Sequence, residues 1–368
     1  MQMNFLKNIN YLKKRFKDPS KIKVAVALSG GIDSSVCAFL LKKAGFKVRG
    51  FFLNLYDSDF FEDSLSGAKK MSEILEIPFV EVDARKEFKR DVIKYFLFEL
   101  KNGRTPNPCV VCNEKIKMGI LLKKAVSSGM YFLATGHYVK KEEGKIFKIL
   151  MAKDKSRDQS YFLWKLSQDK LSKLLFPLGD ITKKDILKEA EKIGILDKER
   201  KESREICFVE KNIEGFVSKF FKEEKGLIID QDEKIIGKHK GLFLYTIGQR
   251  KGIKLSGGPY YVLNKDLKRN VLIVTKNEKD LFRKKLICSE VNWISGLKPS
   301  FPLKVEVKTR YAQRLSSAIL KNGNGKDRLE IEFKRKQRAI TPGQSVVFYI
   351  SSKGEWEMIG GGVIENFV

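Results

Sequence analysis

The residues Ser29–Ser35 read SGGIDSS and join a short β-branched run, VAVAL at 24–28, to an apolar helical pattern through Val36, Phe39 and Leu40 that stops at Gly45. Glycines at such a junction let the backbone approach an anion closely, and the helix start offers free N–H groups at the positive end of its dipole. Ser29, Ser34 and Ser35 add hydroxyl donors. The loop follows neither G-x-x-x-x-G-K-S/T nor G-x-G-x-x-G, so it is not the usual mononucleotide or dinucleotide loop. Asp33 within it is a candidate for positioning phosphate or magnesium.

A second group of residues suits sulfur chemistry. Cys109 and Cys112 lie in RTPNPCVVCNEKIKMG, residues 104–119. The two prolines impose an extended loop ahead of a helix. Cys112 then falls near the helix start, where the dipole is expected to lower a thiol pKa and favour thiolate. Lys115 and Lys117 add positive field. A C-x-x-C is equally half of a zinc site or a redox pair. Zinc needs further ligands, and outside this motif the chain has only His137, His239 and three other cysteines. Cys207, in SREICFVEK at 203–211, reads alone as a buried strand cysteine and gains meaning only if it reaches Cys112. Cys37, among Val36, Ala38 and Phe39, reads as core, and Cys288 has no partner motif.

These residues need elements to hold them. The strand at 24–28 is followed by a strand at 47–55, a helix at about 64–76, a strand at Phe79–Val82, a helix at about 87–101, a helix from Cys112 to Gly129, and a strand at 131–135. Alternating strands and helices imply a parallel sheet covered on both faces, with the ligand at the carboxyl ends of the strands. Residues 160–200 read as helices, with Thr182 as a cap for TKKDILKEAEKIG and Asp185 three residues on. Past about Glu205 the pattern changes to short strands, GLIID, IIGKH, LFLYTIG, PYYVLNKD and VLIVTK, and near Ile287 it changes again to a small antiparallel barrel or sandwich. Phe5, Ile9, Leu12 and Phe16 at helical spacing read as a packing helix.

Composition narrows the class. The chain has 368 residues, enough for two or three domains, and 42% apolar residues, enough for real cores. It has no unbroken apolar stretch long enough to span a membrane and no apolar segment typical of a secretory signal near its start. Five cysteines fit a reducing cytoplasm rather than a disulfide scaffold. The 73 Lys and Arg against 45 Asp and Glu give a net charge of +28, a field that attracts polyanions such as nucleic acid.

The strings SGGIDSSV, GRTPNPCVVCNEKIK, ATGHYV, RDQSYFLW, LFPLGD, ICFVE, YTIGQRKGI, VKTRY and TPGQSVVFY occur in that order along nearly the whole chain. Together they resemble the tRNA-specific 2-thiouridylase family, which transfers sulfur to C2 of the wobble uridine. The resemblance implies an α/β, doubly wound parallel-sheet ATP-pyrophosphatase domain at 1–205, of the adenine nucleotide α-hydrolase-like kind. A small, mostly-β central domain at 206–286 and a C-terminal antiparallel β-barrel at 287–368, binding tRNA, would follow. Ala27, Leu28, Ser29, Gly30, Gly31, Ile32, Asp33 and Ser34 would bind ATP phosphates, with Leu53 and Gly136 also at the nucleotide. Asn107, Pro108 and Cys109 would line the pocket for the flipped base. Cys112 matches the nucleophile and Cys207 the persulfide-carrying cysteine. His137, Arg157, Asp158, Gln159, Arg310, Tyr311 and Gln344 match tRNA contacts, with Arg157 where a lysine is usual.

The implied reaction uses ATP and magnesium to adenylate the C2 oxygen, then displaces AMP with sulfur from a persulfide that an upstream donor protein supplies. The enzyme would act as a cytoplasmic monomer. Departures from the family pattern are the segment after NLYDSDF, the ESREICF phrase where S-T-G-I-C-F is common, and Cys109 where many relatives carry aspartate. Three cysteines in one site open an alternative, in which Cys109, Cys112 and Cys207 ligate an iron–sulfur cluster. Two further readings keep only part of the sequence: an ATP pyrophosphatase with a small acceptor, which leaves the cysteines idle, and an RNA-binding protein without catalysis, which leaves the phosphate loop idle.

Overall fold

The computed structural model describes residues 16–195, 206–209, 212–325 and 327–367. The expected helix through Phe5, Ile9 and Leu12 lies outside them. Phe16, at its end, packs edge-on against Phe46 and Phe132, with ring centroids 5.3 and 5.5 Å away.

The β-branched runs of the first segment form parallel strands. β1 (Lys23–Ala27) pairs with β2 (Lys47–Asn54) on one side and β4 (Phe132–Ala134) on the other, and β2 pairs with β3 (Phe79–Asp83). Next, β5 (Val139–Glu142) and β6 (Lys148–Met151) form a hairpin that leaves this sheet. β7 (Leu174–Leu175) returns beside β4, giving the order β3-β2-β1-β4-β7. Successive strands step one way from β1 to β3 and then the other way to β4, so the switch point of the sheet lies between β1 and β4. Val24, Ala25 and Val26 are wholly buried because both faces of the sheet are covered, which is why β1 past Lys23 is a continuous apolar run rather than alternating.

The central unit is a four-stranded sheet, with β8 (Gly226–Ile229), β9 (Ile235–His239), β10 (Tyr261–Asp266) and β11 (Val271–Thr275) in the order β10-β11-β8-β9. The last unit has β12 (Phe282–Trp293), β13 (Leu303–Lys308), β14 (Ser316–Asn322), β15 (Leu329–Arg338), β16 (Ser345–Ser352) and β17 (Glu355–Phe367). All its pairs are antiparallel, and β12 pairs with both β15 and β17, so these six strands close into a barrel. Leu286, Val307, Leu320, Ile331, Phe348 and Ile364 fill it.

The barrel is not independent of the first segment. β6 pairs with β17, placing Ile149 opposite Met358 and Leu150 opposite Glu357. One continuous sheet therefore runs from the hairpin into the barrel. Trp164 seals the joint: it is fully buried, its Nε1 donates to Ser345 Oγ at 3.0 Å, and a Cβ added at Gly361 would come within 2.8 Å of its ring.

Three local expectations are corrected. Residues 160–176 are not one helical stretch: Ser160–Phe162 is a single 3-10 turn, Gln168–Ser172 is a short helix, and Leu174–Leu175 is β7, because those leucines complete the open edge of β4. LFLYTIG is not a strand: Leu242–Leu244 forms a 3-10 turn after Gly241, and Leu242 and Tyr245 pack into the central core from it. The sequence reading assigns no element at 139–151, where VKKEEGKIFKILM folds as the β5–β6 hairpin with its Gly in the turn.

Candidate functional site

The phosphate loop leaves β1 and enters the helix Ile32–Lys43 at Gly31. Gly30 has φ +74, a left-handed conformation that glycine adopts without strain. The serines brace the turn: Ser34 Oγ accepts from Ser29 N at 3.1 Å and donates to Gly31 O at 2.9 Å, and Ser35 Oγ donates to the same carbonyl at 3.1 Å. No side chain caps the helix start, which leaves backbone donors for an anion. Gly136, just after β4, sits against this start, since a Cβ there would lie 3.0 Å from Ser34 N and 3.1 Å from Asp33 C. The loops after β1 and β4 thus meet at the switch point, and Leu53 lies half-buried near the end of β2.

Asp33 is held by two groups that the sequence did not single out. Its Oδ1 accepts from Tyr138 Oη at 2.7 Å and pairs with Lys183 Nζ at 2.6 Å. Burial, with the Asp33 carboxylate beside it, pushes the Tyr138 phenol far up. Lys183 opens the helix Lys183–Lys192, whose cap is Thr182, accepting from Asp185 N as the sequence suggested. A lysine at a helix start facing the phosphate loop is a weak sequence signal, because only the fold brings the two together.

The thiol segment is built differently. Asn107 and Pro108 are buried, and Pro108–Val111 is a short helical turn that runs into a π-helical stretch, Cys112–Leu121. Met118 breaks the regular dihedrals (φ −102, ψ 17), and Gly119 stands where a Cβ would come 3.0 Å from the Glu114 carbonyl. Lys170 Nζ donates to that carbonyl at 2.7 Å. Asn113 Nδ2 donates to Phe162 O at 3.3 Å.

Cys207 reaches this segment. Phe208 beside it is 2% exposed and packs edge-on against Phe88 and Phe96, which pins the stretch of chain that carries Cys207. Burial pushes the Cys207 thiol up to about 12, and the nearby Cys112 and Cys109 sulfurs push the same way. Burial likewise raises Cys112 to about 11 and raises Cys109, with Lys117 opposing both. The expected low pKa of Cys112 is therefore corrected: desolvation outweighs the helix start, and the thiol rests protonated. All five cysteines are free, with Cys37 and Cys288 wholly buried in separate cores. His137 also lies near Lys117; burial first, and that charge second, hold its pKa down to about 3, so it is neutral. Its Nδ1 lies 2.8 Å from Thr135 Oγ1.

The residues expected to touch tRNA divide. Asp158 is 1% exposed, and its carboxylate accepts from Ala152 N at 2.9 Å and Ser160 Oγ at 2.7 Å. Arg310 is half-buried, and its guanidinium donates to Ile247 O, Ala339 O and Thr341 Oγ1, tying the central unit to the barrel. Gln344 Nε2 donates to Thr105 O and Pro106 O, both at 3.1 Å, and Thr105 N donates to Pro342 O at 2.8 Å. The barrel thus grips the loop that carries Asn107–Cys109. Gln159 Oε1 accepts from Tyr138 N at 3.0 Å, and Tyr311 stacks on Phe162 with centroids 4.6 Å apart. Arg157 and His137 are the remaining two, flanking the Asp33–Tyr138 corner: the Arg157 charge bears on Tyr138, and His137 precedes it in the chain.

Metal fit follows from these contacts. Among the described residues, no three His, Cys, Asp or Glu side chains converge as a metal-holding group. Cys109, Cys112 and Cys207 as they stand do not converge into such a group. Asp33 carries a lysine ammonium instead of facing other carboxylates, so the described residues build no magnesium cage.

Three family models match in order: a tRNA methyl transferase HUP domain over residues 22–211, a tRNA methyl transferase PRC-barrel domain over 214–276, and an aminomethyltransferase beta-barrel domain over 283–364. The chain is 44% identical over 362 residues to a tRNA-specific 2-thiouridylase MnmA 2 of Thermoanaerobacter sp. (strain X514), covering 94% of this chain and 98% of the relative. It is 43% identical to the MnmA 1 of Caldanaerobacter subterraneus subsp. tengcongensis, covering 94% and 98%, and 40% identical to the MnmA of Clostridium perfringens (strain 13 / Type A), covering 95% and 100%. The family descriptions and the relatives' names differ on the group transferred. The relatives align nearly end to end, so they are the finer guide.

Proposed function

The chain belongs to the tRNA-specific 2-thiouridylase family, and we propose that it transfers sulfur to C2 of the wobble uridine of tRNA at the expense of ATP. The observation that carries this reading is the approach of Cys207 to Cys112 across the chain, in a unit that also carries a phosphate loop at the switch point of its sheet.

ATP enters as its magnesium complex and lies with its phosphates on the backbone of Ser29–Ser34. The base leaves the anticodon stack, at a cost of a few kcal/mol, to reach the pocket of Asn107, Pro108 and Cys109. Its C2 oxygen attacks the α-phosphorus, the bond to pyrophosphate breaks, and AMP becomes the leaving group. Backbone donors of the helix start stabilise the developing charge. Cys207 carries a persulfide from a donor protein. Its terminal sulfur attacks C2 and expels AMP; the Cys112 thiolate then attacks the Cys207 sulfur, freeing the 2-thiouridine and leaving a Cys112–Cys207 disulfide. A thiol reductant restores both cysteines. His137, neutral, borders this space without carrying charge.

Incubation of tRNA with the enzyme, ATP and a persulfide donor, followed by mass spectrometry of the wobble nucleoside, tests the reading. A 2-thiouridine that needs ATP is expected. A methylated nucleoside, or none, would overturn it.

A further inference from the structure

Sulfur transfer asks two thiols, Cys112 buried and Cys207 half-buried, to act as anions, yet desolvation holds them neutral. One cation lies near all of them. The charge of Lys117 bears on Cys109, Cys112, Cys207 and His137 together. Lys115, two residues earlier, is exposed, and its charge bears on Asp91 instead.

The helical register explains the difference. On an α-helix of 3.6 residues per turn, positions five apart point to different sides. In a π-helical turn, which closes one residue later, the fifth position returns to the face of the first. Cys112 and Lys117 stand in that relation within Cys112–Leu121. The wider turn is braced at Glu114, whose carbonyl is close to the Gly119 backbone and accepts from Lys170.

Lys117 is half-buried, and among the described residues it makes no ion pair and no side-chain hydrogen bond. A lysine drawn inward is ordinarily paired. Its counter-ion is therefore one that comes and goes. We propose that Lys117 is a positioning residue whose ammonium, carried over the thiols by the π-helical register, supplies the counter-charge for the Cys112 thiolate and the Cys207 persulfide anion. This rests on the sulfur-transfer reading above.

The test labels Cys112 with iodoacetamide at pH 8, without ATP or tRNA, and reads it by mass spectrometry. Lys117→Met should slow labelling about tenfold, the effect of about one unit in thiol pKa. Lys117→Arg should restore most of the rate, and Lys115→Met should leave it unchanged. In turnover, Lys117→Met should lower kcat by a similar factor, with KM for ATP and tRNA within about twofold. Unchanged labelling with a raised KM for ATP or tRNA would overturn the proposal and assign the ammonium to a substrate phosphate. Should Lys117→Met fail to fold by circular dichroism, Lys117→Gln gives the same comparison. Failure of wild-type thiolation alone would sink the function and leave the labelling result standing.

Discussion

At the start of Ile32–Lys43 the backbone donors are left open by glycines, whereas past the start of Pro108–Val111 the Cys112 thiol is buried among apolar side chains, with Cys109 and Cys207 half-buried. The first suits an anion that arrives already charged, so its donors are fixed in advance. The second holds groups that become anions only during reaction, and burial keeps them protonated until then. A persulfide or thiolate exposed to water reacts indiscriminately, so a thiol that rests neutral protects the sulfur it carries.

If the two regions do separate work, losing a thiol should spare the phosphate chemistry. Cys112→Ser and Cys207→Ser should each cut 2-thiouridine by about a thousandfold or more, with tRNA affinity within about twofold and tRNA-dependent pyrophosphate release retained. Loss of pyrophosphate release in either variant would break the separation. The converse change is Gly136→Val. Its Cβ would press on the backbone of Ser34 and Asp33, at 3.0 and 3.1 Å. It should lower kcat/KM for ATP by about a hundredfold while iodoacetamide labels Cys112 at the wild-type rate.

The phosphate region was the more legible of the two. SGGIDSS fixes a backbone shape by its glycines, and β1 announces itself by apolar β-branched residues, so both survive without tertiary context. The thiol pKa did not, because a helix start can be read from Pro108 but the apolar cover of Phe208 and its neighbours cannot. The π-helical register was equally hidden: Met118–Gly119 hints at a break, but its brace, Lys170, comes from another helix. The internal partners of Asp158, Arg310 and Gln344 were hidden for a similar reason. Each satisfies backbone groups within or between units that only the fold brings to it.

The neutral resting state of the thiol site has a direct signature. With Cys112 near 11, its thiolate fraction in the free enzyme should grow about tenfold per pH unit between about pH 7 and 10. Labelling rates measured across that range check it; a plateau near pH 7 would mean a thiolate already formed, and the two regions would then be alike. The same shift acts on stability. A thiol whose folded pKa lies above its unfolded value stabilises the fold below the unfolded pKa, and that contribution is lost as pH rises toward the folded value. Melting temperature should therefore decline above about pH 9, more in the wild type than in Cys112→Ser.

The smallest effect concerns the barrel's hold on the thiol loop. Gln344 bridges two successive carbonyls, Thr105 and Pro106, and Pro342 accepts from Thr105 N, so removing the amide alone leaves part of the grip in place. Each lost hydrogen bond is worth about 1 kcal/mol, and the freed carbonyls can take water. Gln344→Ala should lower kcat by roughly fivefold through a looser Asn107–Cys109 pocket, with KM for tRNA within about twofold. Equilibrium binding and turnover of the same tRNA separate the two roles. A raised dissociation constant at unchanged kcat would make Gln344 a tRNA contact after all; the opposite pattern makes the barrel a support for the base pocket, acting on the thiol region and not on the phosphate loop.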